Sequence, residues 1–412
     1  MMKPRREFLK TVGAGALATF TPALRKREGL SAKELARDEE FWFTVRRAYD
    51  MTPNFIHLES GWFSPVSREV LDQQFRNMAR LNEVTSYYLR REYDDEKVKI
   101  KERMGELAGL APDEFVICRN TTEALDTVIL GLHLERGDEI VSCERDYPSM
   151  KHALEQRAER DGTVNEVIRV PLVPDTDEEV VELYEKAIGP RTKAILVSHM
   201  IYLTGQVLPV RKICDMAHEH GVEVIVDAAH SFAHLDFKIP DLHCDYLGTS
   251  LHKWLGAPLG SGLMYVRKDK IAKVWPLFAD RLFPKDDIRK FEHIGTHPVA
   301  IEQTLLKSIQ FHESIGGERK EERLRYLKNY WVERVAYLPK VVINTPMKDH
   351  QSCGIANVAI EGMEPKAVAD HFYDEHRIFT VAVEQGVRVS PNLFTRLRDL
   401  DALVHAIESL VA

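Results

Sequence analysis

Lys253 lies in the segment DYLGTSLHKWLGAPLGSG, residues 245–262, where its neighbours could serve covalent chemistry. Ser250 and His252 precede it and can donate hydrogen bonds to a phosphate, and the glycines that follow permit a tight backbone path close to a bound group. A lysine amine becomes a nucleophile or forms a Schiff base when desolvation or a neighbouring cation lowers its pKa. The segment predicts a reactive amine beside an anion site, with an ordinary solvated lysine as the alternative.

A carboxylate that could serve the same chemistry follows the apolar run VEVIV, in the segment VEVIVDAAH. Asp227 ends this predicted strand, where partial burial favours the neutral acid unless a cation lies opposite. A protonated pyridine nitrogen is such a cation, and pyridoxal phosphate requires this pairing in order to stabilise a carbanion. An aspartate that caps a helix is the alternative.

A phosphate site is predicted in the segment RNTTEALDTVILGL. Thr121 and Thr122 lie between a predicted strand and a predicted helix, so that free N–H groups and the helix dipole would point at an anion. A plain threonine N-cap with Glu123 in a capping box is the alternative for this motif in isolation. Its occurrence together with Asp227 and Lys253 favours the phosphate site.

The elements that must position these residues alternate along residues 66–270. Short apolar runs such as EFVICR, KAILVSHM and VEVIVDAA are separated by amphipathic helical patterns, which predicts a mainly parallel sheet covered on both faces. Ligands of open α/β sheets bind at the carboxyl ends of strands. The polar or aromatic residues that follow the predicted strands there are Asn120 to Thr122, Tyr147, His199, Asp227, His230 and Ser250 to Lys253.

Over about residues 50–405 the chain resembles the class V aminotransferase family of fold-type I pyridoxal-phosphate enzymes, and its isopenicillin N epimerase-like branch in particular. The strongest motif is a strand followed by D-x-x-H and then S-x-H-K. The resemblance implies that Lys253 forms the internal aldimine with pyridoxal 5′-phosphate, that Asp227 pairs with the pyridinium and that His230 reaches the phenolic oxygen. It implies that the phosphate is held by Thr121, Thr122, Ser250 and His252.

The resemblance implies further roles outside these motifs. Tyr147 would stack on the cofactor, although a core tyrosine is the alternative. Arg388, in GVRVSPNLFT, would bind the substrate carboxylate, with an exposed arginine of no role as the alternative. Thr296, in EHIGTHP, would reach the phosphate in the partner subunit of a homodimer. Trp62 and His199 complete the expected substrate site.

The succession of these patterns along the chain predicts a division into segments and domains. We expect a signal region at residues 1–30, a segment at 31–65 that joins the small domain, a large cofactor-binding domain at 66–298 and a small α+β domain at 299–412. The expected fold class is therefore that of the fold-type I enzymes, with a mixed, mainly parallel sheet between helices.

Charge and cysteine content exclude other classes. The 412 residues carry 56 basic and 64 acidic side chains, for a net charge of -8, and no basic stripe follows the first thirty residues, which argues against a nucleic-acid partner. The five cysteines form no CxxC pair, so a metal site is not expected. Arg5 and Arg6, in RREFLK, resemble a twin-arginine export signal, which implies a periplasmic or otherwise exported protein without a stable membrane anchor; a frayed basic tail is the alternative.

The expected function is that of a pyridoxal-phosphate enzyme acting on an amino acid, and an aminotransferase is the first candidate. An epimerase and a C–S or β-lyase share the same carbanion chemistry and remain alternatives. Persulfide transfer is disfavoured because RIFTVAVEQGVRVS, the region before Arg388, contains no cysteine. A non-catalytic exported binding protein is the alternative of a different class, and it would need neither Lys253 nor Asp227.

Overall fold

The computed structural model describes residues 26–412, so the pair Arg5 and Arg6 lies outside the described residues. The strands are β1 Ile56–His57, β2 Phe115–Cys118, β3 Glu139–Cys143, β4 Val164–Ile168, β5 Thr192–Ser198, β6 Glu223–Asp227, β7 Tyr246–Ser250, β8 Gly262–Val266, β9 Val341–Ile343, β10 Ala356–Ile360, β11 Ile378–Phe379, β12 Val381–Val383 and β13 Gly386–Val389. The α-helices are α1 Ala32–Leu35, α2 Glu39–Arg46, α3 Arg68–Arg91, α4 Tyr93–Ala108, α5 Thr121–Gly131, α6 Pro148–Asp161, α7 Asp177–Lys186, α8 Val210–Glu219, α9 Ala300–Ile315, α10 Gly317–Val335, α11 Pro365–His376 and α12 Leu397–Val411. Short 3-10 helices lie at Ile239–Leu242, Lys268–Lys273, Ile288–Phe291 and Asp349–Gln351.

The main sheet has the strand order β2-β8-β7-β6-β5-β3-β4. Strands β3 to β7 pair in parallel, whereas β8 runs antiparallel to both β7 and β2. Alternate residues of β5 belong to two different cores: Ile195 packs with α4 and α8, and Leu196 packs with α5 and α6. Helices therefore cover both faces, which explains why the strands are almost wholly apolar. The predicted α/β fold class is confirmed.

Strands β2, β3, β5, β6 and β7 all end at one edge of the main sheet. The shared direction follows from the parallel pairs, and β2 joins them because it and β7 both run antiparallel to β8. Ser198, Asp227 and Ser250 are the last residues of β5, β6 and β7, and Thr121 begins α5 just after β2. The topology thus gathers side chains from distant parts of the chain at this edge.

A second sheet, in the order β12-β13-β10-β9, is antiparallel and shares a core with α10, α11 and α12. The strand β1 pairs in parallel with β11, and Glu59, just beyond β1, forms an isolated bridge with Ser390. Helix α9, which follows the expected boundary at residue 299, contributes Leu305 and Ile309 to the core under the main sheet. None of the helices described combines the length and hydropathy that a bilayer crossing requires.

Candidate active site

A cavity of about 340 Å³ lies at the carboxyl edge of the main sheet. Its walls come from strands of both sheets and from the segment after β1. The structure brings most of the residues expected from the sequence to this cavity: Trp62, Thr121, Thr122, Tyr147, Asp227, His230, Ser250, His252, Lys253 and Arg388.

Lys253 follows β7 and carries its amine into the cavity. Its Nζ lies 3.1 Å from His230 Nε2 and 5.9 Å from the centre of the Tyr147 ring. Burial lowers the pKa of Lys253 to about 8, while the negative charge of Asp227 opposes that change. About a tenth of the amine is therefore neutral at pH 7, far more than for an exposed lysine, and the neutral form is the one that a nucleophile or general base requires.

Asp227 is buried at the end of β6. Its Oδ1 accepts a hydrogen bond from the Ala229 N–H at 2.9 Å. Burial raises the pKa of this carboxyl, and the Ala229 bond and the charge of Lys253 oppose the rise. A cation placed against Asp227 would remove the cost of keeping it ionised.

A second buried carboxyl, Asp146, supports the same edge of the sheet and was missed in the sequence. It accepts hydrogen bonds from the Cys143 N–H and from Ser198 Oγ, both at 2.7 Å. Burial raises the pKa of Asp146 to about 7, and the nearby charge of Asp227 adds to the rise. Asp146 thereby fixes the hydroxyl of Ser198, which lines the cavity.

The N-terminus of α5 forms the end of the cavity at which an anion is expected to bind. Asn120 is its N-cap, with Oδ1 accepting from the Glu123 N–H at 2.9 Å, so the threonines are free of the capping role. The Thr121 N–H donates to Ser250 Oγ at 3.0 Å, and the two hydroxyls of these residues lie 2.7 Å apart. Strand β8 passes against this turn because Gly262 has no Cβ, which would lie 2.7 Å from the Asn120 nitrogen.

His252 flanks the same end of the cavity. Its Nδ1 lies 3.2 Å from the Ser261 carbonyl oxygen. Burial lowers the pKa of His252 to about 4, so the ring is neutral at physiological pH. Because the Ser261 carbonyl can only accept, the neutral ring carries its proton on Nδ1, and Nε2 is left as an acceptor without a hydrogen to donate to an anion in this geometry.

Aromatic and aliphatic side chains form the mouth of the cavity. The Tyr147 ring meets the Tyr202 ring edge to face, with centres 5.2 Å apart. Trp62 is 70% exposed at the rim. The apolar wall is completed by Met200, Val381, Ala382 and Val383.

Arg388 lies on β13 and enters the cavity from the second sheet. Its Nη2 donates to Glu59 Oε1 at 2.6 Å, its Nε donates to Glu59 Oε2 at 3.3 Å, and its Nη1 donates to the Tyr202 carbonyl at 2.9 Å. Both side chains of this ion pair are 6% exposed. Glu59 could not be found from local sequence, although a buried guanidinium requires a compensating partner.

Two expected site residues lie away from the cavity. His199 follows the last residue of β5, and since side chains alternate along an extended chain, Ser198 and Met200 line the cavity while the His199 ring packs edge to face on Phe237. Burial lowers the pKa of His199 to about 4. Thr296 is exposed and lies outside the cavity walls; its expected role concerns a partner subunit, so a single chain does not test it.

The cavity fits pyridoxal phosphate at three points. Asp227 would present a buried carboxyl to a ring nitrogen, and the start of α5 with the hydroxyls of Thr121 and Ser250 would face a phosphate. The third point is His230 Nδ1, which is buried and has no hydrogen-bond partner among the described residues. The volume falls within the range of about 300–1,000 Å³ that is usual for small-molecule sites. Lys253 completes the set as the amine that would bind the aldehyde.

Comparison with known proteins identifies the family. The sequence profile described as "Aminotransferase class-V" matches residues 65–406. The isopenicillin N epimerase of Streptomyces clavuligerus is 26% identical over 390 residues, which cover 90% of this chain and 98% of that protein. A probable cysteine desulfurase of Halalkalibacterium halodurans is 28% identical over 321 residues, covering 72% and 77%.

Solved structures show the same fold. A C-DES mutant with glycine linked covalently to its PLP cofactor matches with a TM-score of 0.80 at 20% identity, covering 88% of this chain and 98% of that one. A cysteine desulfurase from Thermococcus onnurineus in its apo form matches with a TM-score of 0.78 at 22% identity, covering 89% and 97%. Together with the family profile, these findings establish that the chain is an enzyme of the class V aminotransferase family and that its cofactor is pyridoxal 5′-phosphate.

Proposed function

We propose that this enzyme acts on an α-amino acid and that Lys253 moves the proton at its α-carbon. One observation carries the proposal: a single cavity contains a lysine with a lowered pKa, a buried carboxyl and an arginine guanidinium. Lys253 would hold and then transfer the proton, Asp227 would face the ring nitrogen, and Arg388 would bind the substrate carboxylate. The cofactor, when bound, supplies the electron sink that acidifies the α-carbon.

Transamination is the first candidate reaction and epimerisation at the α-carbon the second. Two proteins named isopenicillin N epimerase align with 90% of this chain, which favours the second candidate. A C–S or β-elimination would begin with removal of the same proton. A persulfide route is disfavoured, because the described cysteines do not line the cavity and burial raises the pKa of the Cys353 thiol to about 12.

Incubation of the holoenzyme with L- and D-amino acids, with and without 2-oxo acids, tests the proposal. Pyridoxamine phosphate and a new amino acid would mark transamination, loss of optical activity would mark epimerisation, and pyruvate with ammonia would mark elimination. A protein that binds the cofactor yet leaves every amino acid unchanged would favour the alternative of a non-catalytic binding protein.

We also propose that the active form is a homodimer. Thr296 is exposed, and helix α3 carries the exposed apolar side chains Leu71, Phe75 and Met78, which a second copy could cover. Sedimentation at assay concentrations tests this: a dimer is expected, and a fully active monomer would contradict it. Replacing Thr296 with Val should weaken cofactor binding if its hydroxyl completes the neighbouring phosphate site.

Export by the twin-arginine pathway is a further part of the proposal and depends on the segment RREFLK. Fusion of residues 1–30 to a reporter that must fold before export tests it. The reporter should reach the periplasm, and replacing Arg5 and Arg6 with Lys should retain it inside the cell. Retention of the native fusion would contradict this proposal without bearing on the enzyme chemistry.

A further inference from the structure

Glu59 already occupies one edge of the arginine that would bind the substrate. Its carboxylate accepts hydrogen bonds from Nε and Nη2 of Arg388, so the two groups lie side by side. The Trp62 N–H donates to Glu59 Oε1 at 3.0 Å, and Ser390 Oγ donates to Glu59 Oε2 at 3.2 Å. Four donors from three residues therefore hold this carboxylate in one position.

The arginine keeps only part of its donor capacity for a ligand. A guanidinium has five N–H groups. Two donate to Glu59 and one to the Tyr202 carbonyl, which leaves one on Nη1 and one on Nη2. Such a pair matches the two oxygens of one carboxylate. Gly61 covers the guanidinium so closely that a Cβ there would lie 2.8 Å from Arg388 Cζ, which further restricts the group.

The charges around the cavity disfavour a second carboxylate on the substrate. Among the described lining residues the lysine and arginine side chains are Lys253 and Arg388. Asp227 faces the former and Glu59 compensates the latter, and the cofactor phosphate adds further negative charge when bound. A substrate side chain would meet the apolar wall of Tyr202, Met200 and Val381 to Val383.

We propose that Glu59 is a specificity-determining residue, which makes the site selective for amino acids with one carboxylate and an uncharged, apolar side chain. The inference rests on the proposed function, because it assigns the α-carboxylate to the free edge of Arg388. By compensating the arginine charge, Glu59 removes the attraction that would otherwise draw in dicarboxylic substrates. Like charges brought together in a desolvated site repel each other strongly, which disfavours a second carboxylate there.

The first measurement compares binding of two analogues that carry no α-proton, 2-aminoisobutyrate and α-methylaspartate, to the wild-type holoenzyme by visible absorbance. This readout does not depend on the reaction type. The monocarboxylate should bind at least about tenfold more tightly than the dicarboxylate, which corresponds to about 1.4 kcal/mol. Equal binding, or a preference for α-methylaspartate, would overturn the inference.

The second measurement repeats the comparison in Glu59→Gln, with Glu384→Gln as the matched control. Glu384 is exposed near Tyr202 and makes no hydrogen bond to Arg388, so its replacement removes a charge of the same sign from the rim of the cavity. In Glu59→Gln the preference should fall at least about tenfold through tighter binding of α-methylaspartate. The control should keep the wild-type preference. An equal change in both variants would contradict a specific role for Glu59.

Folding and cofactor binding are measured in the same samples. Attachment of the cofactor to Lys253, detected by mass after borohydride reduction, should be the same in wild type and Glu59→Gln. If attachment is absent in the wild type, the proposed function fails, whereas attachment without selectivity defeats only the role of Glu59. If Glu59→Gln does not fold, Glu59→Asp provides the test: it retains the charge and should retain the preference, and loss of the preference would overturn the inference.

Discussion

His234 joins the two sheets through both nitrogens of one imidazole. Its Nε2 accepts a hydrogen bond from the Gly354 N–H at 2.9 Å, just before β10, and its Nδ1 donates to the His230 carbonyl at 2.8 Å. The partners fix the tautomer, because a backbone N–H can only donate and a carbonyl can only accept. The ring also packs on Trp254, the residue after Lys253, with centres 3.8 Å apart. His234 therefore holds the loops that carry His230 and Lys253 against the second sheet.

Two amide variants should separate the effects of the two hydrogen bonds that His234 makes. His234→Asn can retain the donor to the His230 carbonyl, whereas His234→Gln can retain the acceptor for the Gly354 N–H. We expect both to lose about 1–3 kcal/mol of unfolding free energy, since each leaves a buried polar group unpaired. Cofactor affinity, measured by visible titration, should fall about tenfold in His234→Gln and less in His234→Asn.

The control for the His234 variants is Val404→Ala, which creates a cavity in the core of the second sheet. It should lower stability by a similar amount without a matching loss of cofactor affinity. An equal loss of affinity in all three variants would mean that His234 contributes only to general stability.

Arg388→Leu should lower kcat/KM for every carboxylate-bearing substrate. The loss should equal at least the roughly 2–5 kcal/mol expected for breaking a desolvated charge pair. The single variant also leaves Glu59 buried without its cation, so the double variant Glu59→Leu/Arg388→Leu is the control for folding. Both should show the loss in kcat/KM. Unchanged kcat/KM in either folded variant would indicate an amine substrate without a carboxylate.

The lowered pKa of Lys253 predicts how its reaction with the cofactor depends on pH. Only the neutral amine attacks the aldehyde, so the rate of cofactor attachment to apoprotein should rise with pH and level off above about 8. Asp227 favours the charged amine, and Asp227→Asn should therefore move the midpoint to lower pH. Stopped-flow absorbance between pH 6.5 and 9.5 measures this. A midpoint near the ordinary lysine value of about 10.4 would contradict the burial of the amine.

Gly262→Ala should damage the anion-binding end of the cavity. The added Cβ would lie 2.7 Å from the Asn120 nitrogen and 2.9 Å from the Thr249 carbonyl oxygen, and neither backbone can yield without moving the start of α5. The control is Gly189→Ala, whose Cβ would meet no backbone but two side-chain oxygens, that of the Glu139 carboxylate at 3.1 Å and the Thr192 hydroxyl at 3.9 Å. Inorganic phosphate should protect the wild type and the control against thermal unfolding, and should protect Gly262→Ala much less. Equal protection of all three would contradict this location for the phosphate.

The residues that the sequence identified are those whose position follows from local pattern. Asp227 ends a strand and Lys253 lies three residues beyond the end of β7, and parallel strands end at one edge of their sheet. His199 satisfied the same pattern, but side chains alternate along the extended chain, so Ser198 and Met200 on either side of it line the cavity and His199 packs on Phe237 instead. A shift of one position exchanges the two faces of a strand, and the sequence does not define strand ends so finely.

Other parts of the site depend on contacts between distant segments. Glu59 and Arg388 are 329 positions apart, and they meet only because the segment after β1 lies beside β13. Asp146 binds Ser198 because β3 and β5 are neighbours in the main sheet, an order that hydropathy does not encode. Periodicity could therefore predict the fold class and most of the loops that line the cavity, but not the charged partners Glu59 and Asp146.

Borohydride reduction followed by peptide mass spectrometry tests the central claim most directly, namely that Lys253 is the amine that binds the cofactor. Apoprotein is mixed with pyridoxal phosphate, reduced and digested, and Lys253→Ala is treated in parallel. The account predicts one stoichiometric label on the peptide that contains Lys253 and no specific label in the variant. A label on another lysine, or a protein that stays colourless and unlabelled when the cofactor is added, would contradict it.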